Sequence, residues 1–378
     1  MPTIGIVAGE ASGDLLGSHL IQSLKKHRPD LRFVGVAGPK MQAAGAVSLF
    51  PMEQLAVRGF FEVLRHLPGI LRLRRQLLKH YTQNPPDLFI GIDAPDFNLG
   101  LERKLKRRGI STIHYVSPSI WAWRRGRVNT IKRAVSEVLA LFPHEVPLYE
   151  QAGVPVTYVG HPLADSLPLE PDRQGARKEL KLPADKLVIA ILPGSRQSEL
   201  DYMADLFIKT AQHIRQQVEN VHFLVPVISR ETRWQFEQAL HRNNAGQLPL
   251  TILFGHAHLA MEAADAVLVA SGTATLEAAL LKRPMVIAYR ISALTWMIVR
   301  RMVKLPYVGL PNILAGRKVV PELLQKQATP EKLAETLLQL VHDRQATQEI
   351  EREFSAIHAQ LRQNTEEKAA QAILKYLR

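Results

Sequence analysis

The sequence predicts an α/β protein built from two doubly wound, Rossmann-like domains. Three observations carry this. The chain has 378 residues, of which 46% are hydrophobic, more than one ordinary core accommodates. Short apolar runs alternate with helical patterns in two separate series. The runs are continuously apolar, as strands of a parallel sheet covered on both faces must be.

The first series opens with a strand at Ile4–Ala8, followed by the loop Gly9-Glu10-Ala11-Ser12-Gly13-Asp14 and a helix to about His27. Further strands are expected at Arg32–Val36, Leu88–Ile92, Thr112–Val116 and Glu137–Phe142. Prolines and a Gly-His-Pro turn mark Gly160–Pro171 as the connection. The second series places strands at Leu187–Leu192, Val221–Pro226, Thr251–Phe254, Ala266–Val269 and Met285–Ala288. Beyond Pro330 the chain reads as polar helix. The expected domains are therefore residues 1–165 and 166–345, facing each other across a cleft. Ligands are expected at the carboxyl ends of the strands.

Composition narrows the function. The chain has no cysteine, which excludes disulfides and thiolate metal sites and fits a reducing compartment. The N-terminus lacks the pattern of a signal peptide, and no window offers ~20 uninterrupted apolar residues for a membrane span. The formal net charge is +13. Between Arg58 and Arg133 sixteen Lys/Arg stand against five Asp/Glu, so most of the excess lies in one fifth of the chain. Such a patch seeks phosphate, whether on nucleic acid, lipid or substrate.

Several segments point to chemistry. In the first loop Gly9 and Gly13 let the backbone approach a ligand, and Glu10 suits sugar hydroxyls or general-base work better than a pyrophosphate. The competing reading is a turn in which Ser12 or Asp14 caps the helix. Strand Leu88–Ile92 delivers Asp93-Ala94-Pro95-Asp96 to its carboxyl end. Asp93 is placed to take a proton from an acceptor hydroxyl, whereas Asp96 reads more simply as a helix cap. The pair is not an Asp-X-Asp metal motif, and His114, His144 and His161 lack metal-ligand spacing. No metal and no cofactor are expected. In the second series Gly194, Ser195 and Arg196 form a turn before a helix, suited to a diphosphate. Ser271, Gly272 and Thr273 form a second such turn, with Glu277 one helical turn further on for ribose hydroxyls. Asn312, beside Pro311, is a weaker candidate for a substrate hydrogen bond.

The segment from Leu55 to Lys79 interleaves apolar and basic residues, and Pro68-Gly69 is expected to break it in two. Val57, Phe60, Phe61, Leu64, Leu67, Arg72 and Arg75 give it the profile of an interfacial membrane contact. A core-packing helix with a solvated basic face has the same pattern. Ile291–Val303, with Trp296 and Met297 before Arg300-Arg301, is a second candidate.

These segments together resemble the lipid A disaccharide synthase family. The matching runs are Val7–Asp14, Gly91–Asn98, His114–Trp123, Val159–Pro162, Leu192–Arg196, Ala270–Glu277 and Leu310–Gly316. They occur in order over nearly the whole chain, and the run His-Tyr-Val-Ser-Pro-Ser-Ile-Trp-Ala-Trp is the most specific. The resemblance implies a GT-B glycosyltransferase fold. It implies metal-free, inverting transfer of 2,3-diacylglucosamine from UDP-2,3-diacylglucosamine to the 6-hydroxyl of 2,3-diacylglucosamine 1-phosphate. The enzyme would work at the cytoplasmic face of a Gram-negative inner membrane, against its anionic surface. Asp93 then leads as the base, with Glu10 close behind. Gly194–Arg196, Ser271–Thr273, Glu277 and Asn312 serve UDP, and Gly9, Ser12, Gly13 and Asp96 form the acceptor loops. Residues 346–378 would return to the first domain or exchange within a homodimer.

Two rivals remain at this stage. A UDP-N-acetylglucosamine epimerase shares the expected fold but has no use for the apolar, basic segment. A nucleic-acid-binding protein would explain the charge, but aromatics for base stacking are scarce, so no nucleic acid is expected as partner.

Overall fold

The computed structural model describes residues 1–55, 60–118, 120, 125–183, 185–302 and 306–377; the side chains of residues 60–66, 125, 294, 298, 299 and 302 lie outside that description. The chain divides into two compact units. One comprises Met1–Asp165 with Leu361–Arg378, and the other Ser166–Gln360.

Among its described residues the first unit holds seven strands: β1 (Thr3–Ala8), β2 (Arg32–Val36), β3 (Ala46–Ser48), β4 (Leu88–Ile92), β5 (Ser111–Tyr115), β6 (Glu137–Ala140) and β7 (Val156–Tyr158). They lie in the order β3-β2-β1-β4-β5-β6-β7, every pair parallel. All five residues of β4 and five of six in β1 are buried, as their unbroken apolar character requires. Helices α1 (Ala11–His27), α2 (Pro39–Ala43), α3 (Phe60–Gln83) and α4 (Pro95–Lys106) belong to this unit.

Helix α3 runs through Pro68, contrary to the expected break at Pro68-Gly69. Proline removes one hydrogen bond and crowds the preceding turn. Leu73, Leu77 and Tyr81 follow at four-residue spacing and are buried, so one packed stripe holds the later turns.

The second unit repeats the plan with β8 (Leu187–Leu192), β9 (Val221–Val227), β10 (Leu250–Phe254), β11 (Ala266–Ala270), β12 (Met285–Tyr289) and β13 (Glu322–Leu324). Their order is β10-β9-β8-β11-β12-β13, again all parallel. In both sheets the strand order reverses beside the first strand, between β1 and β4 and between β8 and β11. Ligands of open α/β sheets bind at such reversals, beyond the carboxyl ends.

The ten strands expected from sequence are present within a residue or two. The three not anticipated, β3, β7 and β13, have three residues each and lie at sheet edges. The helix Arg344–Leu361 buries Ile350, Phe354 and Ile357 and belongs to the second unit up to Gln360. The crossing into the first unit therefore comes at Leu361, later than the expected 346, because that helix spends its apolar face before the crossing. The final helix, Thr365–Leu374, contributes Ala369, Ala370, Ala372 and Ile373 to the same core as Ile4, Leu20 and Leu24. The Asp165 carboxylate accepts from the amides of Asn364 (2.9 Å) and Thr365 (2.7 Å), fixing the start of this helix.

Candidate active site

At the reversal of the first sheet, β1 ends at Ala8 and β4 at Ile92. The loops that follow touch: a Cβ added to Gly9 would lie 2.8 Å from that of Ala94. Asp93 (φ 50°) and Ala94 (φ 44°) are consecutive left-handed residues. Neither is glycine, so each costs about 1–2 kcal/mol. Two hydrogen bonds hold the backbone of Asp93. The Asp93 amide donates to Tyr115 O at 2.8 Å, and Asn98 Nδ2, one turn into α4, donates to Asp93 O at 2.8 Å. At the end of the neighbouring strand Val116 also has φ 78°, a costly conformation for a β-branched residue. Strain gathered at a strand reversal is a mark of function.

Burial pushes the Asp93 carboxyl above the ordinary carboxylate range, and the negative charge of Glu10 adds to this. An Ala94 backbone hydrogen bond and the charge of His114 oppose it. Glu10 precedes α1 without capping it through its side chain. Ser12 is exposed, and a Cβ added to Gly13 would lie 3.4 Å from that of Ala8 and 3.6 Å from Ile92. Asp14 is buried and accepts from the amides of Lys40 and Met41, both at 3.0 Å, so it caps α2 and not its own helix. Asp96 makes no cap either. Its side chain is 84% exposed and pairs with Arg127.

At the reversal of the second sheet lies a cavity of about 570 Å³, lined by Gly194, Ser195, Arg196, Ser271, Gly272, Thr273, Glu277 and Tyr289, among others. The structure separates the two small-residue turns that the sequence makes look alike. In the first, the Glu199 carboxylate already accepts from the amides of Ser195 (2.8 Å) and Arg196 (3.3 Å). Those amides are therefore not available to a diphosphate; the Arg196 guanidinium, 64% exposed, stands 3.8 Å from the same Glu199 carboxylate and is the group left to meet one. In the second, Gly272 (φ 141°, ψ −163°) precedes the helix Thr273–Leu280, which no side chain caps. Amides at that helix start can receive an anion.

Glu277 lies one turn inside, its Oε2 3.2 Å from His258 Nε2. The bond to Glu277 raises His258 above the ordinary histidine range. Asn312 corrects an expectation. Its side chain is fully buried and donates to Val320 O and Glu322, while its oxygen accepts from Val319 and Val320. With both donor hydrogens and both lone pairs committed, this amide holds a loop and has nothing to offer a substrate.

Of the proposed membrane contacts, Val57 lies outside the described residues, as do the side chains of Phe60, Phe61 and Leu64. Leu67 is 41% exposed, and Arg72 and Arg75 are exposed on the same helix. In the second unit Met297 is 48% exposed, near exposed Arg300 and Arg301. Among the described residues no helix is long and apolar enough to cross a membrane, and no three His, Cys, Asp or Glu are grouped to hold a metal.

Sequence reasoning missed His258, Tyr289 and the blocking role of Glu199. The signal for Glu199 was available: a Glu three residues after the N-cap is the second half of a capping box. His258 lies in a different helix from Glu277, and no local pattern joins them.

The fold alone is shared with enzymes of different chemistry. The glycotransferase of kitacinnamycin matches with TM-score 0.64 at 16% identity, covering all of both chains. The UDP-GlcNAc 2-epimerase of Neisseria meningitidis matches with TM-score 0.62 at 11% identity, over 100% of this chain and 99% of that one. Two Rossmann-like sheets, each with loops gathered at its reversal, define a protein of the GT-B glycosyltransferase fold. Sequence decides within that class. The family model described as lipid-A-disaccharide synthetase matches residues 4–375. The lipid-A-disaccharide synthase of Methylobacillus flagellatus is 65% identical over 378 residues, the full length of both chains. The chain belongs to the lipid-A-disaccharide synthetase family and is a hexosyltransferase.

Proposed function

We propose that the enzyme joins UDP-2,3-diacylglucosamine to 2,3-diacylglucosamine 1-phosphate, giving a β-1,6-linked disaccharide 1-phosphate and UDP. The observation that carries this reading is the full-length identity of 65% to a lipid-A-disaccharide synthase. The epimerase alternative has only a fold likeness on its side, which the transferases share.

In this mechanism Asp93 is the base. Its carboxylate takes the proton of the acceptor 6-hydroxyl as that oxygen bonds to the donor's anomeric carbon, and the bond from that carbon to the β-phosphate breaks on the opposite face. The configuration inverts and UDP leaves. A strained, half-buried carboxylate of raised proton affinity supports the role, since a base works best near the operating pH. Glu10, on the neighbouring loop after β1, is the alternative base. On the donor side, the uncapped amides at Thr273 and the Arg196 guanidinium would balance the charge growing on UDP. Glu277 would accept the ribose hydroxyls.

Acylated substrates require a lipid surface. Leu67, Arg72 and Arg75 on α3, with Met297 and Arg300 in the second unit, are proposed to rest on the anionic inner face of the inner membrane. No nucleic acid is proposed as a partner. The test is direct: incubate the protein with both lipids in detergent and EDTA and weigh the product. A disaccharide monophosphate with stoichiometric UDP is expected. Failure in EDTA and again with added magnesium would overturn the assignment.

A further inference from the structure

Behind Asp93 lies a buried acid–base pair that the reaction just described does not use. His114 on β5 stands across from Gly91 on β4, two residues before Asp93. Glu102 comes down onto the same place from α4, one helical turn after Asn98. The two side chains are fully buried, with Glu102 Oε1 2.8 Å from His114 Nδ1. Among the described residues their outer atoms, Glu102 Oε2 and His114 Nε2, find no partner. The space is reserved: a Cβ at Gly91 would overlap Glu102 Oε1 and crowd Asn98.

Such a pair is a poor device for stability. Taking two ionisable groups out of water costs several kcal/mol, and apolar residues of similar volume usually serve a core as well or better. Leaving a buried oxygen and nitrogen unpartnered adds to the cost. The pair also sits where its charge is felt. Among the described residues, His114 from β5 and Glu10 from the β1 loop act on Asp93 through their charge, and Glu102 faces His114 from α4. Burial pushes the Glu102 carboxyl up, while His114 opposes that. With two protons between them, the pair can stand in either of two ways: as carboxylic acid with neutral imidazole, or as carboxylate with imidazolium.

We propose that Glu102 and His114 are positioning residues that compensate the charge of Asp93 by shifting one proton between them. When Asp93 is ionised, its charge draws the shared proton onto His114, and the imidazolium steadies the base. When Asp93 takes the acceptor's proton, the shared proton returns to Glu102. No proton is gained or lost by the pair, and none reaches solvent. The inference rests on Asp93 as the base for its catalytic meaning, but the coupling itself does not.

The experiment reads the two parts separately. Nitrogen-15 spectra of the histidine rings, with His114 assigned by its loss in His114→Gln, report protonation directly. At one fixed pH, Asp93→Asn should move the His114 signal from its native position toward that of the neutral ring. Coupling is reciprocal, so an unchanged His114 signal in Asp93→Asn overturns the proposal whatever Asp93 does in catalysis. Glu102→Gln then tests the consequence: with no proton to draw from Glu102, His114 no longer faces Asp93 as imidazolium, and the acidic limb of the single-turnover rate should move up by about one pH unit. An unmoved limb with only a lowered melting temperature would make the pair a structural one. Should Glu102→Gln fail to fold, the spectra of native protein and Asp93→Asn still decide. Full turnover in Asp93→Asn would remove the base assignment while leaving the spectral test standing.

Discussion

Replacing Gly272 by alanine isolates backbone strain at the donor site. Its φ of 141° and ψ of −163° fall in a region that only glycine occupies readily. An added Cβ would meet nothing within 4 Å, so there is no clash to add. The cost is therefore conformational, about 1–3 kcal/mol, offset by roughly 0.4–1 kcal/mol because alanine also restricts the unfolded chain. A net loss of about 1–2 kcal/mol shifts the melting temperature of a unit this size by roughly 2–8 °C. If the loop relaxes to relieve the strain, the amides at Thr273 lose their aim. Each charge-assisted bond to phosphate is worth about 1.5–3 kcal/mol, so UDP affinity should fall at least about tenfold. Gly194→Ala is the control. It combines φ 128° with a Cβ 2.6 Å from that of Glu199, so it should destabilise more. Urea unfolding and calorimetric titration with UDP measure both quantities. A Gly272→Ala protein that binds UDP unchanged, or that is less stable than Gly194→Ala, would refute the reasoning.

Asp93→Asn should lower turnover by roughly 10²–10⁴-fold while UDP titration stays unchanged. Because burial raises the Asp93 carboxyl in the fold, its contribution to stability is present at low pH and lost as pH rises through the folded value. Asp93→Asn should therefore melt higher than the native protein at pH 8, and an equal or lower melting point would count against that shift. His258 is raised by Glu277, so its contribution is complete below the ordinary histidine range and lost as pH rises through the raised value. Glu277→Gln should return the His258 titration toward the ordinary range, read by proton NMR, and weaken UDP binding. Arg72→Gln with Arg75→Gln should weaken binding to anionic vesicles by about 2 kcal/mol, roughly thirtyfold in sedimentation. Ile373→Ala should cost about 2–5 kcal/mol in urea unfolding, as an emptied core position does.

Much of the architecture was legible because buried parallel strands leave a direct mark. A run such as Leu88–Ile92 must be apolar on both faces, and the pattern finds it. Edge strands leave no such mark: the three residues of β7 are only half-buried, and their pairing is decided by the neighbouring strand. The placement of Asp93 just beyond a strand end was legible because the apolar run before it was. The fates of Glu199, Asn312 and Asp14 were not, since each depends on which amide lies within 3 Å once the chain has folded. Glu102 and His114 were hidden for the same reason. Nothing in a helix pattern and a strand pattern announces that two of their side chains meet.

The discontinuity of the first unit bears on how the protein is made. Residues 166–360 form one uninterrupted stretch, so that unit can close while the chain is still being synthesised. The first unit emerges earlier yet lacks Ala369, Ala370 and Ile373, which complete the packing around α1. At about 5–20 residues per second the ribosome delivers them roughly 10–40 s after Asp165. During that interval Leu20, Ile21 and Leu24 await their cover, and Asp165 awaits the two amides it will hold. The part of the chain born first is thus the last to be finished, and a nascent chain stalled short of residue 361 is where a holding chaperone would find apolar surface to grip.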